Sequence, residues 1–516
     1  MSEVIAEYLA DGYKMLEKSQ KMAAYLGIIT MLILIECAYV YANLMSNTII
    51  GNRGTIIIPT ITFRDYPTAY QSEIRGVFIH ASNTLYPNWT QITEVCDTYG
   101  INVIVIEALG NNFARYPSNI IPSTDYGLLP EGIIEAHKHG IKFYVSMNVL
   151  MSAYGGDGVD RRCVKSDGSE VNWMCPTKNA SRELLKAIVQ ELFTKYPEID
   201  GFMFDYIRYD SGDVCYCDEC KARFIRDTGL TDVNWPLDVV EGGKYWKEFL
   251  EWRVKPVNEL VQLIRKWILE VKPDCEFSAA VWSWLPEAPA YWRKWIGQDA
   301  DYWVAQDWLD WVAPMIYTDN ITSLKKFLTA FMDKMVAGPE GKIPIVPFID
   351  TCVDSVSTPE NFQQRVAKLR ELGADGYIIW RYGGPGDGQG SGAPDIRPYL
   401  EGLNSESTFS IKNLAVSLSG AQATIAWSTD QSTSGMVEYS EYPLFNASIE
   451  FDPSADMNYW RVTYTAGTVL EANSTATIHV ITIRNLKRGG TYYFRVKSNG
   501  PSGTVTTKVL NFTLIP

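Results

Sequence analysis

Three acidic residues stand where acids are expensive. Asp205 interrupts the apolar stretch GFMFDYIRYD, Glu107 closes NVIVIEALG, and Asp350 closes IPIVPFID. An unpaired charge in such surroundings costs several kcal/mol, so each acid must be paired, shifted in pKa or used. Arg208, three residues past Asp205, is near enough in sequence to hold that carboxylate ionised. Apolar neighbours would instead raise the pKa of Glu107 and make it a proton donor. Hydrolysis of a glycosidic bond needs such a pair, one carboxyl donating a proton and the other acting as nucleophile or base, with Asp350 as a further candidate acid or substrate ligand. A separation of about 5 Å implies retention and about 6.5–9.5 Å inversion. The remaining candidates suit the recognition of sugar: Trp282, Tyr317, Trp380 and Tyr382, with Trp284 beyond, offer flat faces for ring stacking, and His80, Asn148, Tyr206 and Arg208 offer hydrogen bonds. Taken singly, each also fits a rim ion pair or rim packing; the set points to a site.

The elements that must position these residues are eight apolar runs separated by helical stretches: RGVFIH, NVIVIEALG, KFYVSMN, GFMFDY, FSAAVW, WVAPMIY, IPIVPFID and GYIIWRY. Near-continuous apolar strands alternating with helices indicate a parallel sheet covered on both faces. Eight such units predict an α/β fold, a (β/α)8 TIM barrel over residues 74–403, and the absence of a Gly-rich phosphate loop in HASNTLYP after the first run argues against a doubly wound sheet. The active site of such a barrel lies at the carboxyl ends of its strands, where every candidate above falls. Asp307, Asp310, His137 and His139 precede strands and belong to helix caps or the opposite, lower face.

Composition narrows the partners. With Lys+Arg 46 against Asp+Glu 60, the net charge is -14, which excludes a nucleic-acid partner. Residues 22–45, MAAYLGIITMLILIECAYVYANLM, carry one formal charge, Glu36, and are long enough to span a bilayer. The lysines ahead of this stretch keep residues 1–21 in the cytoplasm, so residues 46–73 become a linker and the rest faces outward. The expected location is therefore the cell membrane, single-pass, with self-association possible through Glu36. Six Asn-X-Ser/Thr sequons begin at Asn88, Asn179, Asn320, Asn446, Asn473 and Asn511, which agrees with export. Cys215, Cys217 and Cys220 follow the fourth strand, with Cys163 and Cys175 in the loop after the third. Structural zinc and disulfides both satisfy this spacing, and neither implies a catalytic metal or a cofactor.

Beyond a polar break near residue 403 the period changes to short alternating strands. LKRGGTYYFRV resembles the late hairpin of fibronectin type III-like domains, with Tyr492 at the tyrosine corner and Trp427 in an early core strand. The resemblance implies an all-β sandwich at 408–516 that spaces, docks or binds. The central part, with EIRGVFIH, EAHKHGIKFYVSMN, DGFMFDYIRYD and DWLDWVAPMIYT, resembles the poorly characterised glycosyl-hydrolase-like TIM-barrel families of bacteria and archaea. That resemblance implies a glycoside hydrolase acting on a carbohydrate substrate, with Asp205 at the presumed catalytic aspartate and Glu107 where relatives carry Gln or Glu. Members with a doubled Asp at strand four differ from this chain, which has Tyr206 second. Two other readings remain: a non-catalytic carbohydrate-binding or structural surface protein, and a metal-dependent deacetylase, for which four His in the chain supply no suitable Asp/His set.

Overall fold

The structure is a computed structural model of the 516-residue chain. It describes residues 62–66, 70–71, 73–80, 86–110, 113–125, 128–153, 157–283, 295–333, 335, 343–352, 357–388, 392–403, 410–441, 450–452, 459–461, 467–472, 475–500, 503–507 and 510–514. The expected membrane segment at residues 22–45 lies outside these, and among the described residues no helix is long and apolar enough to cross a membrane.

Eight parallel strands, Ile74–Ile79, Val103–Gly110, Lys142–Asn148, Gly201–Asp205, Glu276–Trp282, Trp311–Met315, Phe348–Asp350 and Gly376–Trp380, pair in sequence order. The last pairs with the first, Trp380 opposite Phe78, so the sheet closes into a TIM barrel. The strands read as continuous apolar runs because both of their faces are covered. Phe78, Val105, Tyr144, Met203, Ala313, Phe348 and Ile378 fill the interior. Residues of opposite parity, such as Val77, Ile104, Phe143 and Phe202, pack outward against the helices. Each such side chain contributes about 1.5–3 kcal/mol on burial. The seventh strand is shorter than its run IPIVPFID suggests, because Pro344 and Pro347 have no amide to give the ladder; only Ile345 bridges to Val312 ahead of Phe348.

The lower end is tied by a repeated device. The residue just before each even-numbered strand (Asn102, Asp200, Asp310 or Asp375) donates its own amide to the neighbouring odd strand and accepts that strand's amide on its side chain. The side-chain oxygens of Asn102, Asp200, Asp310 and Asp375 take the amides of Arg75, Phe143, Phe277 and Ile345 at 2.9, 2.7, 2.7 and 2.9 Å. The return bonds run to the carbonyls of the same four residues. Above this ring the Tyr144 phenol donates to Glu276, which also binds Lys142 at 2.5 Å. Gly201 leaves room for the Tyr144 ring, since a Cβ there would sit 2.2 Å from it.

The chain then enters an antiparallel β region with its own core around Trp427, Tyr492, Phe494 and Phe512. The alternating runs ATIAWST and SGMVEYS lie in one continuous strand, Gln422–Ser440. A register shift between Ser428 and Thr433 lets its first half pair with Ser410–Ser419 and Ala476–Ile483, and its second half with Thr491–Gly500. Tyr492 accepts the Lys487 amide at 2.7 Å, the contact expected of a tyrosine corner. Part of the expected linker is structured: Thr62–Tyr66 pairs antiparallel with Leu414–Leu418, so the segment leading into the barrel supplies an edge strand to the β region that follows it.

Candidate active site

The strand period decides what faces the barrel mouth. Side chains alternate, so an acid two or four positions beyond an interior residue is also interior. Val103 and Val105 lead to Glu107, Tyr144 to Asn148, Met203 to Asp205, Ala280 to Trp282, Ala313 to Tyr317, Phe348 to Asp350, Ile378 to Trp380, and Phe78 to His80. Eight of the residues singled out from the sequence therefore form the top interior layer of one barrel.

Glu107 is 4% exposed. His80 Nε2 lies 3.3 Å from one of its carboxyl oxygens and an Arg115 nitrogen 3.9 Å from the other. Burial pushes its pKa up to about 7, against the opposing pull of Arg115 and with help from the Asp205 charge. A bulge at Ala108, where the pairing steps from Glu107–Ser146 to Leu109–Met147, re-aims the end of the strand. It brings the Gly110 backbone against the carboxyl: a Cβ on Gly110 would lie 1.8 Å from Glu107 Oε1 and 3.2 Å from Asn148 Nδ2.

Asp205 ends the fourth strand opposite Asn148 and is half-buried. Burial raises its pKa to about 6, only partly offset by the Tyr206 amide, which donates to its Oδ1 at 2.7 Å, and by the charge of Arg208. Here the sequence expectation needs correcting. Arg208 makes no ion pair with Asp205, because its guanidinium lies among the rings of Trp173, Tyr206 and Trp282, at 5.3, 5.0 and 4.8 Å from their centroids, and donates to the Tyr209 carbonyl at 3.0 Å. Tyr206 holds φ at 48°, a left-handed conformation that costs a bulky residue about 1–3 kcal/mol and turns the chain sharply past Asp205.

The other side of the mouth is aromatic. Trp380 contacts His80, Phe78 and Tyr317 at centroid distances of 5.4, 4.7 and 6.2 Å. Tyr317 stays a protonated donor: burial and the charges of Asp205 and Asp350 hold its phenol well above the ordinary range. The Trp282 amide donates to Gln298 at 2.8 Å, which fixes the rim of the fifth strand. Trp284 lies outside the described residues.

Asp350 and Tyr382 stand apart from the other candidates. Asp350 faces the interior, but its carboxylate meets Arg365 at 3.3 Å, and Arg365 also binds the Asp350 carbonyl and Ser357. An acid tied this way anchors the rim. Tyr382 is not part of the mouth. The strand ends at Trp380, the Tyr382 amide turns back to the Phe78 carbonyl, and its fully buried ring points into the helix-facing shell with the hydroxyl donating to Pro385. Sequence reasoning missed Arg115, Gly110 and Trp173. The first two depend on the bulge, which leaves no compositional mark. Trp173 sits on a hairpin, Arg162–Val164 with Glu170–Met174, and its indole donates to the Arg208 carbonyl at 2.8 Å. The long gap between the third and fourth strands was the signal that more than a helix lies there. His137 and His139 bind Asp200 and Asp97 at the lower face, as placed from the sequence.

Residues 157–338 match the family described as Glycosyl hydrolase-like 10, a span that holds Asp205, Trp282 and Tyr317 but not Glu107 or Trp380. Over 259 residues, 42% of this chain and 55% of the other, the sequence is 24% identical to Glycosyl hydrolase DigH of Escherichia coli. The chain thus spans about half the length of the curated relative it matches. Among solved structures it is similar to Gan42B, a GH42 β-galactosidase from G. stearothermophilus, with TM-score 0.49 and 11% identity, covering 66% of this chain and 57% of that one. It is also similar to the cold-adapted β-galactosidase of Rahnella sp. R3, with TM-score 0.48 and 14% identity over 65% of this chain and 55% of that one. Both the matched family and the curated relative are described as glycosyl hydrolases or as like them.

Proposed function

We propose that the chain hydrolyses a glycosidic bond of a polysaccharide or glycoprotein glycan laid across the barrel mouth. Glu107 is the acid/base, and Asp205 the nucleophile or charge stabiliser. The observation that carries this reading is that Glu107 and Asp205 share the top interior layer of the barrel, with burial raising both carboxyls, to about 7 and about 6, so that a proton donor and a carboxylate can stand side by side near neutral pH. As the bond breaks, Glu107 gives its proton to the leaving oxygen while Asp205 faces the charge developing at the sugar carbon. Trp282, Tyr317 and Trp380 offer faces for the sugar rings, and His80, Asn148 and Tyr206 offer hydrogen bonds. The fibronectin type III-like character of the β region and an outward-facing anchor at residues 22–45, with self-association through it, complete the proposal: enzyme held at a surface, substrate outside.

The test is a screen of the full chain against envelope and glycoprotein glycans, reading new reducing ends, with Asp205→Asn in parallel. Activity that is lost in the variant supports the assignment. Unchanged activity in Asp205→Asn removes Asp205 from the mechanism, and glycan binding without cleavage by the wild type reduces the protein to a surface binder.

A further inference from the structure

The cysteines that the proposed chemistry leaves unused converge beside the cleft. The Sγ atoms of Cys175, Cys215, Cys217 and Cys220 all lie within 4.8 Å of one another, and all four residues are buried. Cys175 Sγ is 3.8 Å from Cys217 Sγ and 3.6 Å from Cys220 Sγ. Four sulfurs at the zinc–thiolate distance of about 2.3 Å would stand about 3.8 Å apart along each edge of a tetrahedron. We propose that these four cysteines hold a structural zinc ion, with Cys163 beside them but outside the ligand set.

The surroundings suit the charge such a site carries. A tetrathiolate zinc centre has a net charge of about −2 and needs nearby cations or N–H donors when buried. Arg253 is fully buried, and among the described residues it pairs with no carboxylate; its guanidinium donates to the carbonyls of Ser211, Gly212 and Val214 in the loop leading to Cys215. That charge is felt at Cys163 and Cys215. Lys178, 3% exposed, stands close enough to Cys217 to interact with it, and the Val164 amide donates to Cys215 Sγ at 3.3 Å. Soft thiolates in a closed four-coordinate set select zinc over the oxygen-seeking divalent ions. Cys163, fully buried against Cys175 and Cys215, is placed to donate its S–H to them.

The ion would also have a structural task. Cys175 follows the hairpin that carries Trp173, while Cys215, Cys217 and Cys220 belong to the loop and helix after the fourth strand. Joining them pins that hairpin against Tyr206, whose ring is 5.9 Å from that of Trp173, and so fixes the wall in which Arg208 lies. Binding releases the thiol protons and involves no change of oxidation state.

The experiment uses the full chain produced in zinc-supplemented medium. Elemental analysis should find one zinc per chain, and replacement by cobalt should give the thiolate charge-transfer and ligand-field spectrum of a tetrahedral sulfur site. Cys175→Ser and Cys217→Ser should lose the metal, while Cys163→Ser keeps full stoichiometry. Should the ligand variants fail to fold, stripping wild-type protein with a mercurial and restoring it with zinc gives the same answer through hydrogen exchange, with protection of residues 161–176 falling and returning. Metal retained by Cys175→Ser, no zinc and no cobalt uptake by the reduced protein, or native disulfides among the four cysteines would each overturn the assignment. None of these readouts depends on glycosidase activity.

Discussion

The two ends of the barrel use acidic side chains in opposite ways. At the lower end Asp200, Asp310 and Asp375 each spend a carboxylate oxygen on a neighbouring strand's amide, so burial is repaid by a hydrogen bond to the charged form. At the upper end desolvation outweighs the compensation, and Glu107 and Asp205 are displaced towards neutrality. Asp350 shows that the upper end is not uniform, since Arg365 ties it into the rim. The same residue type therefore serves architecture where a strand amide holds its oxygen, and is the candidate for chemistry where burial raises its pKa.

The largest expected effect is at Asp205. Asp205→Asn should lower kcat/KM by about a thousandfold or more, near the upper part of the range for removing a group that acts only in the transition state, while circular dichroism and solubility stay those of the wild type. Asp310→Ala should do the reverse: a loss of about 1–3 kcal/mol in denaturant unfolding from the orphaned Phe277 amide, with kcat/KM of the folded fraction retained.

Glu107→Gln comes next, with an expected loss of about 100-fold to 10,000-fold in kcat/KM for substrates with poor leaving groups. Its stability should move the other way. The folded pKa of Glu107 lies above its ordinary value of 4.5, so ionising it within the fold is unfavourable, and wild-type stability falls as pH rises towards and through about 7. Glu107→Gln removes that decline, a gain of at most about 3–4 kcal/mol above pH 8, measurable by urea unfolding across pH. In the wild type, kcat/KM against pH should be a narrow bell, falling below about 6 as Asp205 protonates and above about 7 as Glu107 ionises. The smallest effect is expected at Gly110. Gly110→Ala should displace the Glu107 carboxyl, move the upper limb of the bell and cost about tenfold in kcat/KM while leaving the unfolding midpoint within a few degrees.

Much of this contrast is legible in the sequence, because a strand period of two turns an apolar run ending in an acid into a statement about direction. His80, Glu107, Asn148, Asp205, Trp282, Tyr317, Asp350 and Trp380 follow from that rule alone. Tyr382 defeats it, because the rule holds only while the strand continues, and the turn after Trp380 is made by backbone bonds that residue types do not announce. Arg208 defeats it differently. Proximity to Asp205 in sequence suggested an ion pair, whereas three aromatic rings offered the guanidinium a better-filled site. The edge strand at Thr62–Tyr66 was hidden for a third reason: its partner lies some 350 residues away, across the whole barrel.

The central claim is that two carboxyls at the upper rim, Glu107 and Asp205, titrate near neutrality. Infrared difference spectra of the full chain between pH 5 and pH 8, with Asp205→Asn and Glu107→Gln as subtractions, read this without any substrate. The account predicts two carboxyl bands that convert to carboxylate with midpoints near 6 and 7, one missing in each variant. Spectra in which every carboxyl is already ionised by pH 5, with both variants matching the wild type, would contradict it.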